Sequence, residues 1–250
     1  MTHAGVAFKR HVDVVLHELG DGLAAVHQLV SPETGTVTLA FQPSLGTWLV
    51  PDLVGSFRAE HPAVTFDLRP KRDELMSAVR ERSDVDLELS TSQPKGSDVR
   101  GRTLVRQPLH LAVPRGHRTA SSSAVRLAEV ADDPFVVIRP SSSLRQLSDR
   151  LCASAGFTPE VAFECDDLPT MRAFVAAGLG VAIVPATPGT AADDREERVT
   201  LLSIKDAGAV REVGVAWSAE HPLLPAAQLF RAHVLHRASS GLLPAPGDTG

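Results

Sequence analysis

The hydrophobic pattern of this chain changes period once, at Ser31-Pro32, and that change separates a rod from a body. Residues 4 to 30 contain no proline, and glycine only at Gly5, Gly20 and Gly22. A single helix of about 40 Å is expected there at 1.5 Å per residue. Its larger apolar residues, Phe8, Val12, Val15, Leu19, Leu23, Val26 and Val30, recur at intervals of three and four, close to a heptad seam with one slip near Gly20 and Gly22. So narrow a stripe has to be covered. It packs either on the chain's own body or on the same helix of a second copy, and the heptad-like spacing favours the second copy.

Beyond Pro32, β-type runs alternate with helical ones. Residues 36 to 41 read as strand, Gln42 to Thr47 as a turn, and Trp48 to Arg58 as an amphipathic helix. The unit repeats with a strand at 63 to 68, a helix at 73 to 82, and strands at 85 to 89 and 109 to 113. Such alternation implies a parallel sheet covered on both faces. After a looser stretch at 114 to 123, a second α/β series follows, with strands at 135 to 138, 161 to 165 and 181 to 184 and helices at 142 to 155 and 168 to 177. A polar loop at 187 to 197, strands at 199 to 204 and 213 to 217, and a closing helix at 225 to 236 complete the body. Residues 238 to 250, rich in Ser, Gly and Pro, are expected to form a frayed tail.

Composition narrows the functional classes. The 250 residues suffice for two compact units. With 25 Lys plus Arg against 30 Asp plus Glu, the net charge of −5 argues against a body built to wrap nucleic acid, since phosphate binding is carried by clustered cations. Cys152 and Cys165 form no C-x-x-C pair and no disulfide framework, as expected for the reducing cytoplasm. Lys9, Arg10, His11, Asp13 and His17 interrupt any apolar run at the start, so neither an export signal nor a membrane span is expected.

Local motifs exclude more than they assign. Gly178-Leu179-Gly180 follows a helix and precedes a strand, the reverse of a dinucleotide fingerprint, and is expected to end the helix in a left-handed cap. There is no G-x-x-x-x-G-K-[ST] and no G-x-S-x-G, and His233 with His236 lack a third ligand. No catalytic residue, metal or cofactor is assigned. What remains is a repeated placement of hydroxyl residues just past strand ends: Ser44 and Thr47, Ser90 with Thr91 and Ser92, and Ser141 to Ser143. Ligands of open parallel sheets sit outside the carboxyl ends of the strands, where helix N-termini offer N–H groups to a small carboxylate. Each serine taken singly is an ordinary cap; three clusters at equivalent places point to a site. Arg69, Lys71, Arg72, Arg139 and Arg145 offer counter-charges near these positions, and Arg139, ending a strand beside Pro140-Ser141, is the favoured one. Glu88, inside the apolar strand Val85 to Leu89, needs a cationic partner or a cleft to face.

The segment from Gly35 to Val64, with Val85-Asp86-Leu87, Leu109 to His117, Pro134-Phe135-Val136 and Val175 to Pro185 in order and spacing, resembles the LysR-type transcriptional regulators over nearly the whole chain. The resemblance implies an α/β fold of two Rossmann-like lobes of periplasmic-binding-protein type, preceded by a long linker helix. It implies a linker at 1–30, an effector-binding domain at 36–237 with lobe I at 36–115 and 211–237 and lobe II at 116–210, and a tail at 238–250. Carried across by position, effector contacts fall at Ser44, Thr47, Ser90, Thr91, Arg139, Ser141, Asp167 and Gly180. Pairing through Phe8, Val12, Val15, Leu19 and Val26 would give a homodimer, with assembly into tetramers as a further option. DNA would be contacted only through an N-terminal winged helix-turn-helix absent from this sequence. Glu88 departs from the small apolar residue usual in the family, and Arg69-Pro70-Lys71-Arg72 from its acidic-Gly pattern. The expected function is a cytoplasmic regulator, not an enzyme, that senses a small anionic metabolite between its lobes. The alternative is a free-standing periplasmic-type solute-binding protein.

Overall fold

The proline-free run forms helix α1 (His3–Gln28), which carries one-turn contacts on its surface, an ion pair between Lys9 and Asp13 and a contact of His17 Nε2 with the Asp21 carboxylate at 3.1 Å. The computed structural model describes residues 2–28, 34–71, 77–81, 84–91, 96–186 and 198–244. Most of the α1 seam faces outward: Phe8 is 70% exposed, Leu19 61% and Val26 63%, with Val15, Leu16 and Leu23 similar. Val12 is half-buried. Within a single chain this stripe is therefore largely uncovered, while Val30 lies outside the described residues.

The first α/β unit starts with β1 (Gly35–Phe41), flanked by β2 (Val64–Pro70) and β3 (Leu87–Ser90), all parallel. Helix α2 (Leu49–Glu60) connects β1 to β2 and buries Leu49, Val50, Leu53 and Phe57, its inward stripe. The short helix α3 (Ala78–Glu81) covers Ala40 and Val85 on the other face; the rest of the helix expected at 73 to 82 lies largely outside the described residues.

Strand β4 (Val99–Pro114) is much longer than the expected 109 to 113, and it links both halves of the body. Gly101 and the register shift opposite Val213/Gly214 break the period of its first half, so no alternating pattern marks the strand. Val99 to Pro108 pair with β10 (Val210–Ser218), which lies antiparallel between β3 and β4. Leu109 to Pro114 pair instead with β8 (Ala182–Pro185) and β9 (Val199–Ile204). The expectation of a parallel sheet is thus corrected: β10 returns from the second half and enters the first sheet in the opposite sense.

The second half adds β5 (Ala124–Val125) beside β9, and the parallel pair β6 (Pro134–Ile138) and β7 (Glu160–Cys165), joined to the strand before β8 by a bridge from Phe135 to Val181. Helices α4 (Ser143–Ser154) and α5 (Leu168–Ala176) cover it. Gly178, at φ +78°, ends α5 in the expected left-handed cap, its N–H donating to Val175 O. Gly180 serves packing: a Cβ there would stand 2.5 Å from the Pro134 carbonyl oxygen.

Each half has its own core. One gathers Val37, Leu39, Phe57, Val213 and Phe230; the other gathers Leu111, Phe135, Val175 and Leu202. The change of core falls at Leu109 on β4 and returns after Ala209, so the outgoing crossing lies ahead of residue 115. Helix α6 (Pro225–Ser239) closes the first core. The frayed tail is corrected in part: Gly241, at φ +65°, turns the chain so that Leu242 N–H reaches Arg237 O, and Leu243 packs on the first core. Residues 245–250 lie outside the described residues.

Candidate functional site

A cavity of about 620 Å³ opens between the two halves, lined by Pro43, Pro70 and Lys71 from the first and by Ile138, Arg139, Ser141, Ser142 and Asp166 from the second. These residues follow the carboxyl ends of β1, β2, β6 and β7, where parallel strands release the chain and free polar groups converge. On the second side stands the N-terminus of α4, capped by Ser142 Oγ, which accepts from Leu144 N–H at 3.2 Å. The helix dipole favours an anion there.

One cation reaches the cavity from each half. Arg139 is ion-paired with Asp166, and both side chains are open to solvent. The Lys71 side chain is only 6% exposed and is paired with Glu88, Nζ to Oε1 at 2.5 Å. The charge at Glu88 in an apolar strand is thereby accounted for. Two other arginines near the strand ends are otherwise engaged, Arg69 with Asp67 and Asp84, and Arg145 with Asp149 and Glu164, while Arg72 lies outside the described residues.

Beside the cavity the halves are latched together. Gln42, fully buried at the end of β1, accepts through Oε1 from Thr91 N–H (3.0 Å) and Thr91 Oγ (2.8 Å), and donates through Nε2 to Ser143 Oγ at 3.4 Å. Thr91 and Ser143 hydroxyls also meet, at 2.7 Å. A second polar set lies at the crossing strands, where Arg211 Nε donates to Gln107 Oε1 at 2.7 Å and Arg211 Nη1 to Ser44 Oγ at 3.3 Å. Gln107 Nε2 in turn donates to the Ala186 carbonyl at the end of β8. Replacing Thr91 with valine keeps the shape and removes the shared hydroxyl. The expected cost is about 1–2 kcal/mol in urea unfolding, with a larger radius of gyration by X-ray scattering as the halves part. Unchanged stability and dimensions would show that the contact does not hold the halves together.

Of the eight positions expected to touch an effector, Arg139 and Ser141 line the cavity. Thr91 belongs to the latch and Ser44 to the crossing-strand set. Ser90 is buried at the end of β3, and Thr47 is exposed in the turn before α2. Asp167 caps α5, its Oδ1 accepting from Thr170 N–H at 2.7 Å. Gly180 permits the approach of the strand-entering chain to β6. Sequence reasoning passed over Lys71 as counter-charge in favour of Arg139, counted Ser142 among the strand-end hydroxyls but not among the effector contacts, and assigned no role at the site to Asp166 or Gln42. The signal available for Lys71 was its place one residue past a strand end, with Glu88 as an unexplained acid on the neighbouring run. Among the described residues no group of three His, Cys, Asp or Glu is arranged to hold a metal ion.

Two lobes with separate cores, joined by crossing strands and enclosing a polar cavity at strand carboxyl ends, define a two-lobed ligand-binding domain of periplasmic-binding-protein type. Residues 31–239 match the LysR substrate binding domain family, and the chain belongs to the LysR-type transcriptional regulators. It is 31% identical over 235 residues to the uncharacterized HTH-type transcriptional regulator YybE of Bacillus subtilis, covering 94% of this chain and 79% of that protein. It is 30% identical over 237 residues to the transcriptional dual regulator GltC of the same organism, covering 94% of this chain and 78% of GltC. The effector-binding domain of QuiR, solved in complex with shikimate, superposes with a TM-score of 0.73 at 23% identity, covering 83% of this chain and 98% of that domain. The matched relatives are transcriptional regulators, which sets aside the free-standing solute receptor. Among the described residues no helix is long and apolar enough to cross a membrane.

Proposed function

We propose that the chain acts in the cytoplasm as the sensing and pairing part of a homodimeric regulator, binding a small carboxylate in the interlobe cavity and performing no catalysis. One observation carries the reading: the lobes face each other across about 620 Å³ bordered by Arg139, Lys71 and the N-terminus of α4. Arg139, paired with a solvent-exposed carboxylate, exchanges that partner at little cost, so a ligand carboxylate can take its place. A ligand that contacts both lobes changes their relative arrangement only if it binds one arrangement better than the other. The polar latch of Gln42, Thr91 and Ser143 offers two such arrangements, made and broken. The reported complex of QuiR with shikimate, a carboxylate, is consistent with this ligand class. DNA recognition is assigned to a winged helix-turn-helix joined to α1, and α1 to pairing between copies.

The test is thermal shift and calorimetry against a panel of small carboxylates. Binding of any positive compound is expected to weaken about 10- to 100-fold in Arg139→Ala, the worth of a hydrogen bond to a charged group. Undiminished affinity in that variant would move the anion site elsewhere.

A further inference from the structure

The two cations of the cavity carry carboxylates of very different availability. Asp166, on Arg139, has a side chain 76% exposed; Glu88, on Lys71, has one 2% exposed. Glu88 is also fixed from behind, its Oε2 accepting from Ser77 Oγ at 3.1 Å and Val79 N–H at 3.3 Å, while its Oε1 takes the Lys71 ammonium. Lys71 is held by its own backbone, whose N–H donates to Phe41 O at 2.8 Å. A ligand that draws Asp166 off Arg139 returns that carboxylate to water. A ligand that draws Lys71 off Glu88 leaves a buried carboxylate without its cation, which the interior penalises heavily.

On the reading that this cavity is the effector site, we propose that Glu88 restricts it to ligands bearing a single negative charge. Glu88 stands as a resident anion where a second carboxylate of the ligand would otherwise pair with Lys71. The ligand's one carboxylate goes to Arg139 and the start of α4; Ser141 and Ser142 take hydroxyl groups of its body, and Pro43, Pro70 and Ile138 its apolar surface. A doubly charged ligand brings a second anion to a cation already neutralised, and meets repulsion from Glu88. Glu88 is thus a specificity-determining residue that acts through Lys71.

Matched pairs that share a skeleton test this: benzoate against isophthalate, cyclohexanecarboxylate against cyclohexane-1,3-dicarboxylate, and lactate against malate, each titrated by calorimetry into the whole chain at one ionic strength. In the wild type the monoanion of a binding pair is expected to bind about tenfold or more tightly than its dianion. Glu88→Gln, which uncovers one positive charge, is expected to strengthen dianion binding by about tenfold and erase most of the preference. Glu88→Gln combined with Lys71→Gln restores a neutral pair, and the preference for the monoanion should return. Dianions that bind the wild type as well as monoanions, with no gain in Glu88→Gln, would overturn the proposal and leave the cavity as the effector site. If no pair binds and Arg139→Ala abolishes no interaction with any carboxylate, the cavity assignment falls and the proposal with it. Should Glu88→Gln not fold, the ratio within each pair on the wild type decides alone.

Discussion

With Leu19 and Leu23 both replaced by glutamine, the chain is expected to sediment as a monomer at concentrations where the wild type sediments as a dimer. Both leucines are about 60% exposed on α1, in a stripe that continues through Phe8, Val15 and Val26. A run of large apolar residues on one helix face, exposed over several turns, is what a soluble chain retains for a partner. Burying a leucine is worth about 1.5–3 kcal/mol, and each of two copies contributes both residues, so the double substitution removes on the order of 6 kcal/mol or more from pairing. Glutamine has nearly the helix propensity of leucine, so α1 itself should persist by circular dichroism. The body should melt where it did, because among the described residues neither core contains a residue of α1. A variant that remains dimeric would put the pairing surface on the lobes and leave α1 as a spacer.

Hydrophobic period located α1, α2, α4, α5 and α6 and most strands, because each carries its stripe or alternation locally. The first half of β4 escaped because Val99 to Arg106 contains Gly101, three arginines and a bulge, and its pairing partner lies about a hundred residues away on β10. The site was legible only in part, for a related reason. Arg139 and Ser141 follow a strand whose end is visible in the sequence, so topology alone brings them to the cavity. Gln42 looks like a turn residue before Pro43, yet it is fully buried because Thr91 and Ser143, from two other elements, supply its hydrogen bonds. Ser44 and Thr91 were read as ligand contacts on chemistry that suits protein partners equally well, and here Arg211 and Ser143 are those partners. The resemblance to a known family supplied the two lobes; it could not supply Lys71 with Glu88, where this chain departs from the family's pattern.

The second large effect concerns pH. Asp86, just ahead of β3, accepts from Thr38 N–H at 2.8 Å while its own N–H donates to Thr38 O at 3.1 Å, so the side chain is drawn in beside β1. Burial pushes its carboxyl up to about 6, the Thr38 hydrogen bond opposes the shift, Asp21 on α1 adds to it, and His17 and Arg69 work against it. An acid whose pKa is higher in the folded chain than in the unfolded one stabilises the fold most when protonated. Its contribution is therefore complete below about 4, declines as the pH rises through 6, and is gone above that. From 3.8 to about 6 the difference corresponds to about 3 kcal/mol. Asp86→Asn keeps an oxygen for Thr38 N–H and has no charge to bury. Relative to the wild type it should be near neutral at pH 4 and more stable by up to about 3 kcal/mol at pH 7.5 in urea unfolding. Titration of all other groups is common to both chains and cancels in that difference. A gap that shrinks or reverses with rising pH would mean that the fold favours the carboxylate. The influence of Asp21 carries the same measurement to the rod: Asp21→Asn should reduce the pH dependence of the wild type, because α1 lies close enough to β1 and β3 for its charges to be felt at Asp86. If it does not, the linker helix and the first lobe are electrostatically independent, and any signal between cavity and rod must run through packing alone.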